Sequence, residues 1–142
     1  MAQRERILSM SVFTEQERAY LQSQRLGRLA TVDQAGEPHV VPVSFRYNPE
    51  LDTIDIGGRD IVRSKKFRDV ARTGRAAFVV DDVLPPWQAR GIEVRGPAET
   101  PATGGQAIMP DFAAAVIRIR PRRIVSWGID GEYAQPNSRT VA

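Results

Sequence analysis

The sequence predicts a mainly β fold, an antiparallel β-barrel of six or seven short strands with two or three short helices. The chain has 142 residues, the size of one domain with a core of its own. Several short segments alternate apolar and polar residues between Gly, Pro, Asn or Asp, which is typical of half-buried strands. Strands this short expose their edges unless the sheet closes, so we expect a closed or partly closed barrel.

The first helix and the first strand are predicted before residue 34. Thr14 followed by Glu17 forms a capping-box pattern, and the apolar residues Phe13, Tyr20 and Leu21 fall on one helical face. Residues 14–24 are therefore predicted to form an amphipathic helix on a sheet. Residues 28–33 read as a strand, closed by a turn at residues 33–36.

The strand predicted at residues 38–47 has two distinct faces. Alternation assigns one face to the core, and its members are His39, Val41, Val43, Phe45 and Tyr47. Pro42 on the other face removes a ladder donor and belongs at an edge or a bulge. A turn at residues 48–50 leads to a third strand, residues 53–57.

The second half of the chain is predicted to contain one helix and four strands. Phe67, Val70 and Ala71 at helical spacing indicate a short helix over residues 64–72. The strands are residues 75–81, 91–99 with a bulge at Gly96–Pro97, 113–120 and 122–127, with a loop at 100–111. We predict one domain, residues 12–130, and a polar C-terminal tail, residues 131–142, that is mobile.

Composition excludes several classes of site and partner. The chain has no cysteine and one histidine, His39, so thiolate sites, multi-histidine metal sites and a Ser–His relay are not expected. No apolar run is long enough to cross a bilayer, and residues 1–11 lack the apolar segment of a signal peptide, so the cytoplasm is expected. Alternation places Arg118, Arg120 and Arg122 on one solvated face without aromatic neighbours, and nucleic-acid binding is not expected.

Two segments suggest binding chemistry, and each has a plainer alternative. Ser64 begins a predicted helix whose N-terminus suits a phosphate; Lys66 lies near the apolar face, whereas Lys65 points further toward solvent. A solvated basic helix is the alternative. Pro42 and the short Ser44 would let a flat ring lie against their strand, which is otherwise a plain edge strand.

Five further residues are candidates for a role either in packing or in a site. Gly57 and Gly58 permit close backbone approach or a positive φ, or they form a simple turn. Trp87, next to two prolines, is a lid or an interface anchor if exposed, and Trp127 is core or the wall of a site. His39, on the predicted core face, is interpreted as a structural histidine with satisfied hydrogen bonds.

Six segments together resemble the pyridoxamine-phosphate-oxidase-like split-barrel family over roughly residues 13–130. They are RLGRLATVD (25–33), GEPHVVPVSF (36–45), SKK (64–66), RAAFVV (75–80), GIEVRGPAE (91–99) and IVSWGID (124–130). The last segment is similar to the deazaflavin-dependent branch of that family, which includes a reductase of tetracycline biosynthesis. The resemblance implies a split β-barrel of the FMN-binding type.

The resemblance also implies a cofactor, its binding residues and a partner. Val41, Pro42 and Val43 would lie along the ring system, and Gly57, Gly58 and Arg59 would approach the ring or its polyol chain. Ser64, Lys65 and Lys66 would hold the phosphate, and Trp87 would close the groove from a partner subunit. Coenzyme F420 is the expected cofactor in a homodimer whose cofactor groove lies at the subunit interface, and FMN is the alternative. The expected activity is hydride transfer from the reduced cofactor to an enone or imine acceptor. The proton would come from solvent, Tyr47 or Ser44. A carrier protein that binds the cofactor without turnover is a further alternative.

Overall fold

The computed structural model describes residues 10–130 and 135–142. Two α-helices and eight strands make up the regular structure of these described residues. They are α1 (Glu15–Ser23), β1 (Leu26–Val32), β2 (Pro38–Asn48), β3 (Thr53–Gly57), α2 (Lys65–Thr73), β4 (Arg75–Leu84), β5 (Gln88–Glu99), β6 (Ile117–Ile119), β7 (Arg123–Trp127) and β8 (Asn137–Thr140). Single 3-10 turns occur at Ile61–Arg63 and Gly105–Ala107.

Six of the strands close into an antiparallel barrel. Their order is β4-β1-β2-β3-β6-β5, and the pairing of β5 with β4 closes the circle. Strand β7 pairs with the other edge of β5, and β8 pairs with β7, so these two strands extend the sheet outside the barrel. The predicted fold class, a mainly β antiparallel split barrel with short helices, is confirmed.

The barrel interior is filled by side chains of its strands. The fully buried ones include Leu29, Ile54, Ile56, Phe78, Val80, Ile92, Val94, Ile117 and Ile119, and Ile124 of β7 belongs to the same core cluster. Val43, Phe45 and Tyr47 are buried as predicted. Val41, at 36% exposure, and His39, whose side chain is 37% exposed, are not core residues. The reason is that β3 ends at Gly57, the partner of Ser44, and does not cover the first half of β2.

Both helices begin at the caps expected from the sequence. Thr14 Oγ1 accepts a hydrogen bond from the Glu17 amide, and Glu17 Oε1 accepts one from the Thr14 amide, which completes the capping box. Ser64 Oγ accepts from the Phe67 amide at the start of α2. Gly74 ends α2 with φ of +69°, a conformation that favours glycine.

Strands β4 and β5 form a longer hairpin than predicted. They pair one to one from Arg75–Pro97 to Leu84–Gln88, so the ladder contains no bulge at Gly96–Pro97 and that prediction is wrong. Instead, the opposite edge of β5 changes partner there, from β7 to β6. A Cβ on Gly96 would collide with the Arg120 carbonyl oxygen, which explains the glycine.

Residues 137–140 form a strand, and the prediction of a mobile tail is wrong for them. Ser138 and Arg139 pair with Val125 and Ile124 of β7. Buried Glu17 then holds the Arg139 guanidinium at 2.6 Å. The segment has no apolar alternation, so its fixed position depends on this charge pair and on the β7 edge. Residues 131–134 of the predicted tail lie outside the described residues.

Candidate functional site

The first half of β2 has one unpaired edge. Residues 38–43 pair with β1 on one side, from Val32–Pro38 to Gly27–Val43. On the other side, pairing with β3 begins only at Ser44–Gly57, and the described part of the chain supplies no strand partner before it. Six residues of strand span about 20 Å. This edge therefore offers backbone donors and acceptors to a flat ligand of that length.

Val41, Pro42 and Val43 contribute to this edge in different ways. Pro42, opposite Arg28 of β1, is exposed, so the lost backbone donor is tolerated as the sequence predicted for an edge position. The Val41 side chain is partly exposed, whereas Val43 is buried in the core. Val43 can therefore meet a ligand only through its backbone.

The segment that follows β3 runs beside the unpaired edge. Gly57 lies opposite Ser44 at one end of the edge. At the other end, the Lys65 ammonium lies 3.7 Å from Asp33, in the turn that precedes β2. Residues 58–65 connect these two points, so the predicted phosphate-binding residues Ser64, Lys65 and Lys66 follow at the Asp33 end of the unpaired edge.

The two glycines at the end of β3 differ in their surroundings. A Cβ on Gly57 would lie 2.8 Å from Phe112 and 2.9 Å from Ile108, so glycine is needed for packing of the loop before β6. A Cβ on Gly58 would meet Ile61 at an ordinary 3.7 Å. Neither glycine has a positive φ, so conformational freedom is not their reason.

Arg59 and Ser64 already have partners within the chain. The Arg59 guanidinium forms an exposed ion pair with Asp111 at 2.9 Å. The Ser64 hydroxyl donates to the Ile61 carbonyl oxygen at 2.6 Å while it caps α2. The ion pair is weak because it is exposed. The serine hydroxyl would have to give up one of these bonds to bind a ligand.

The two lysines have opposite environments. Lys65 lies 3.6 Å from Asp69 as well as 3.7 Å from Asp33, so two carboxylates neutralise it. Lys66 is half-buried, and no carboxylate among the described residues lies within ion-pair distance. Burial lowers the pKa of Lys66 below its ordinary value of 10.5. Of the two, Lys66 is therefore the ammonium that an anion would stabilise.

The two tryptophans lie outside the barrel interior. Trp87 is at the tip of the β4–β5 hairpin and is 86% exposed, so it faces solvent or another molecule. Trp127 lies against Gly91 of β5, where a Cβ would collide with the indole. Trp127 is thus half-buried on the outer face of the sheet.

His39 does not have the satisfied environment that the sequence predicted. Its Nε2 atom is buried without a hydrogen-bond partner in the described chain, and the nearest carboxylate oxygen, on Asp33, is 3.8 Å away. That distance is too long for a hydrogen bond. The alternation pattern located the strand correctly but gave no information on this side-chain partner.

Tyr47 is a poor candidate for proton delivery. Its hydroxyl donates to Asp52 at 2.6 Å inside the fold. Burial, together with this hydrogen bond, raises the pKa of Tyr47 to about 12. Ser44 is half-exposed at the end of the unpaired edge, where it lies opposite Gly57.

The arginine run near the C-terminus does not form one solvated face. Arg118 forms a bidentate pair with buried Asp55, at 2.9 and 3.0 Å, and Arg120 pairs with Glu99. Arg118, Arg120 and Arg122 alternate with the buried residues Ile119 and Pro121, as the sequence predicted. The face is not uniformly solvated, because the Arg118 side chain is only 12% exposed in its pair with Asp55.

Comparison with known proteins assigns the chain to a family. Residues 13–128 match the family model described as pyridoxamine 5'-phosphate oxidase. The chain belongs to this family. Among residues 10–130 and 135–142, no helix has the length and apolar character needed to span a bilayer. The same residues contain no cluster of three acidic, histidine or cysteine side chains that could hold a metal ion.

Three proteins similar to this chain in sequence or in fold include one reductase and two ligand-binding proteins. The 5a,11a-dehydrotetracycline/5a,11a-dehydrooxytetracycline reductase of Streptomyces rimosus is 52% identical over 124 residues, which are 86% of this chain and 87% of the reductase. A heme binding protein from Mycobacterium smegmatis superposes with a TM-score of 0.68 at 20% identity over 89% of this chain, which spans 57% of that protein. A FAD-binding protein from Mesorhizobium loti gives a TM-score of 0.60 at 20% identity, covering 80% and 91% of the two chains. The two structures show the fold alone.

Proposed function

We propose that the protein is an oxidoreductase that binds coenzyme F420 along the unpaired edge of β2 and reduces an enone or imine group of an organic acceptor. The observation that carries the oxidoreductase assignment is the 52% identity to a dehydrotetracycline reductase over 86% of the chain. An alignment of 124 residues spans the six barrel strands and the segment between β3 and α2. It supports a common reaction type, and the acceptor of this protein is a separate question.

The residues of the site fit a cofactor with a ring system and a phosphate group. A half-buried ammonium without a carboxylate partner, on Lys66, suits an anion. An unpaired strand edge of about 20 Å suits the polar edge of a flavin-like ring. In this arrangement Val41, Pro42 and Val43 line the ring, and Gly57, Gly58 and Arg59 border it.

Of the three proposed phosphate-binding residues, Lys66 has the main role. The Ser64 hydroxyl caps α2 and thereby fixes the start of the helix that positions Lys66. Lys65 keeps its two carboxylate neighbours and contributes less net charge. The proposed cofactor therefore depends on one ammonium more than on the pair.

The protein's part in the reaction is to bind, orient and supply a proton. When bound, the reduced deazaflavin supplies a hydride equivalent to the electron-poor carbon of the acceptor. Reduction also requires a proton, and the Ser44 hydroxyl or solvent at the open end of the edge delivers it. Tyr47 does not supply this proton, because its hydroxyl donates a hydrogen bond to Asp52.

A homodimer would complete the proposed cofactor site along the unpaired edge of β2. The outer face of the sheet and the hairpin tip expose large apolar residues, among them Leu26, Val40, Val83 and Trp87. Val40, at 68% exposure, lies directly beside the unpaired edge. A second copy that covers these residues would enclose the ring and bring its Trp87 to the site.

Fluorescence titration of the apo protein with F420 and, separately, with FMN tests the cofactor. Saturable low-micromolar binding of F420, with FMN much weaker, is the expected result. Preference for FMN would overturn the deazaflavin assignment and keep the binding edge. Acceptor-dependent oxidation of the reduced cofactor then separates an enzyme from a carrier, since a carrier binds without turnover.

A further inference from the structure

A groove of about 650 Å³ lies on the outer face of the sheet, at the C-terminal end of α2. Four residues that are neighbours on adjacent strands form a row across it from β1 to β7, namely Ala30, Ala77, Arg95 and Arg123. Val32, Pro38 and Pro97 add to an apolar floor of small side chains. None of the ten residues of the proposed cofactor site lines this groove.

Four arginines line the groove, and most of their charge is not neutralised. Arg75 and Arg122 have no acidic partner among residues 10–130 and 135–142, and Arg123 donates only to the hydroxyls of Ser138 and Thr140. Arg95 pairs with Glu93 at 3.2 Å. Most arginines elsewhere on the barrel have carboxylate partners, as in the pairs Arg28–Asp81, Arg90–Asp82, Arg118–Asp55 and Arg120–Glu99. Positive charge is therefore concentrated at this groove.

We propose that the groove is a second binding site, for a small organic anion that has a flat apolar body and carries carboxylate or phosphate groups. Guanidinium groups bind both kinds of group through paired hydrogen bonds. The floor of alanine, valine and proline offers apolar contact without long side chains that would fill the space. The volume lies within the range of about 300–1,000 Å³ that is usual for small-molecule sites.

A fluorescent dye with the proposed chemistry provides the first test. 1-Anilinonaphthalene-8-sulfonate has flat aromatic rings and one anionic group, and its fluorescence rises in an apolar site. Arg75→Ala/Arg122→Ala should bind the dye at least about tenfold more weakly, because two charge-assisted contacts are lost. Arg25→Ala is the matched control, since Arg25 is exposed at the opposite end of β1 and should not affect the affinity. Unchanged affinity in the double variant, or an equal loss in the control, would overturn the proposal.

Competition identifies the acidic group. Citrate displaces the dye if carboxylates are recognised, and pyrophosphate displaces it if phosphates are. Displacement by either ion in the native protein, absent in Arg75→Ala/Arg122→Ala, supports the site and names its chemistry. Failure of both ions to displace the dye would overturn the proposed anion specificity.

Two further measurements on the double variant separate this groove from the other proposed surfaces. Its affinities for F420 and FMN should be unchanged, whereas loss of cofactor binding would make the groove part of the cofactor cleft. Its sedimentation behaviour should match that of the native protein. A shift to a smaller species would assign the arginines to a contact between copies and overturn the small-molecule site. The thermal unfolding midpoint checks that both variants remain folded.

Discussion

Arg139 donates hydrogen bonds to both carboxylate oxygens of Glu17, at 2.6 and 3.1 Å, and so joins the last strand to the first helix. Glu17 is only 1% exposed, and it also accepts from the Ser126 hydroxyl at 2.6 Å. The Nη2 atom of Arg139 also donates to the Val12 carbonyl oxygen, which fixes the segment before α1. Arg139 therefore ties β8 to α1 and to the segment that precedes α1.

Replacement of Arg139 should destabilise the fold. Arg139→Ala leaves a buried carboxylate without its charge partner, and we expect the free energy of unfolding to fall by about 3 kcal/mol. Arg123→Ala, which removes exposed contacts to Ser138 and Thr140 of the same strand, should cost below about 1 kcal/mol. Urea unfolding measures both, and a loss below about 1 kcal/mol in Arg139→Ala would contradict the central role of this pair.

The same carboxylate should make stability depend on acid pH. Burial acts to raise the pKa of Glu17, but hydrogen bonds from Arg139 and Ser126 outweigh it and hold the pKa below its ordinary value of 4.5. The unfolded chain then binds the proton first as pH falls, so Glu17 stabilises the fold above pH 4.5 and this contribution is lost as pH falls through the folded pKa. Urea unfolding of Glu17→Gln from pH 7 downward should show a stability deficit that shrinks toward low pH. A deficit that is constant with pH would contradict this assignment.

Lys66 should dominate cofactor binding. Lys66→Ala should weaken affinity by about 1.5–3 kcal/mol, or roughly 10- to 150-fold, because a charge-assisted phosphate bond is lost. Arg72→Ala, an exposed change near the other end of α2, serves as the control and should leave affinity unchanged. Titration with F420 measures both variants. Native affinity in Lys66→Ala would remove the main residue-level support for the proposed site.

The two glycines at the end of β3 should respond differently to alanine. Gly57→Ala places a methyl group 2.8 Å from Phe112 and should cost about 1–3 kcal/mol through overpacking. Gly58→Ala meets only ordinary contacts and should change stability by less than about 1 kcal/mol. Thermal or urea unfolding of the pair checks this. Equal effects would show that the loop before β6 does not require the glycine.

His39 should tolerate replacement. Its Nε2 atom has no hydrogen-bond partner among the described residues, so His39→Gln loses no bond at that atom and should change the free energy of unfolding by less than about 0.5 kcal/mol. Cofactor affinity should stay nearly intact. Collapse of binding in a folded His39→Gln protein would place this histidine in the cofactor site.

Local patterns in the sequence predict much of the barrel. The capping box at Thr14 and Glu17 and the alternation of Val43, Phe45 and Tyr47 each depend on near neighbours, and the structure confirms them. Val41 has the same alternation but is partly exposed, because the strand that would cover it ends at Gly57. Where a strand ends relative to its neighbour is a property of the sheet, and no single segment contains it.

Features that combine distant residues could not be predicted in this way. Asp55 accepts hydrogen bonds from Arg118, which is 63 positions away in the sequence. Glu17 accepts them from Arg139, which is 122 positions away. The arginines of the groove come from β4, β5 and the start of β7, so their positive charges come together only in the folded sheet. The candidate cofactor residues were predicted from family resemblance, whereas the difference between Lys65 and Lys66 depends on carboxylates in two other elements.

The change of partner at Gly96 separates an outer pair of strands, β7 and β8, from the six strands of the barrel. β5 pairs with β4 along its length, but its other edge is shared between β6, inside the barrel, and β7, outside it. Separation of β7 and β8 from β5 would break no strand pairing of the six-stranded ring, but it would expose Ile124 and the Glu17–Arg139 pair. Amide protons of β7 and β8 should therefore exchange with solvent through local openings, whereas those between β4 and β5 wait for global unfolding.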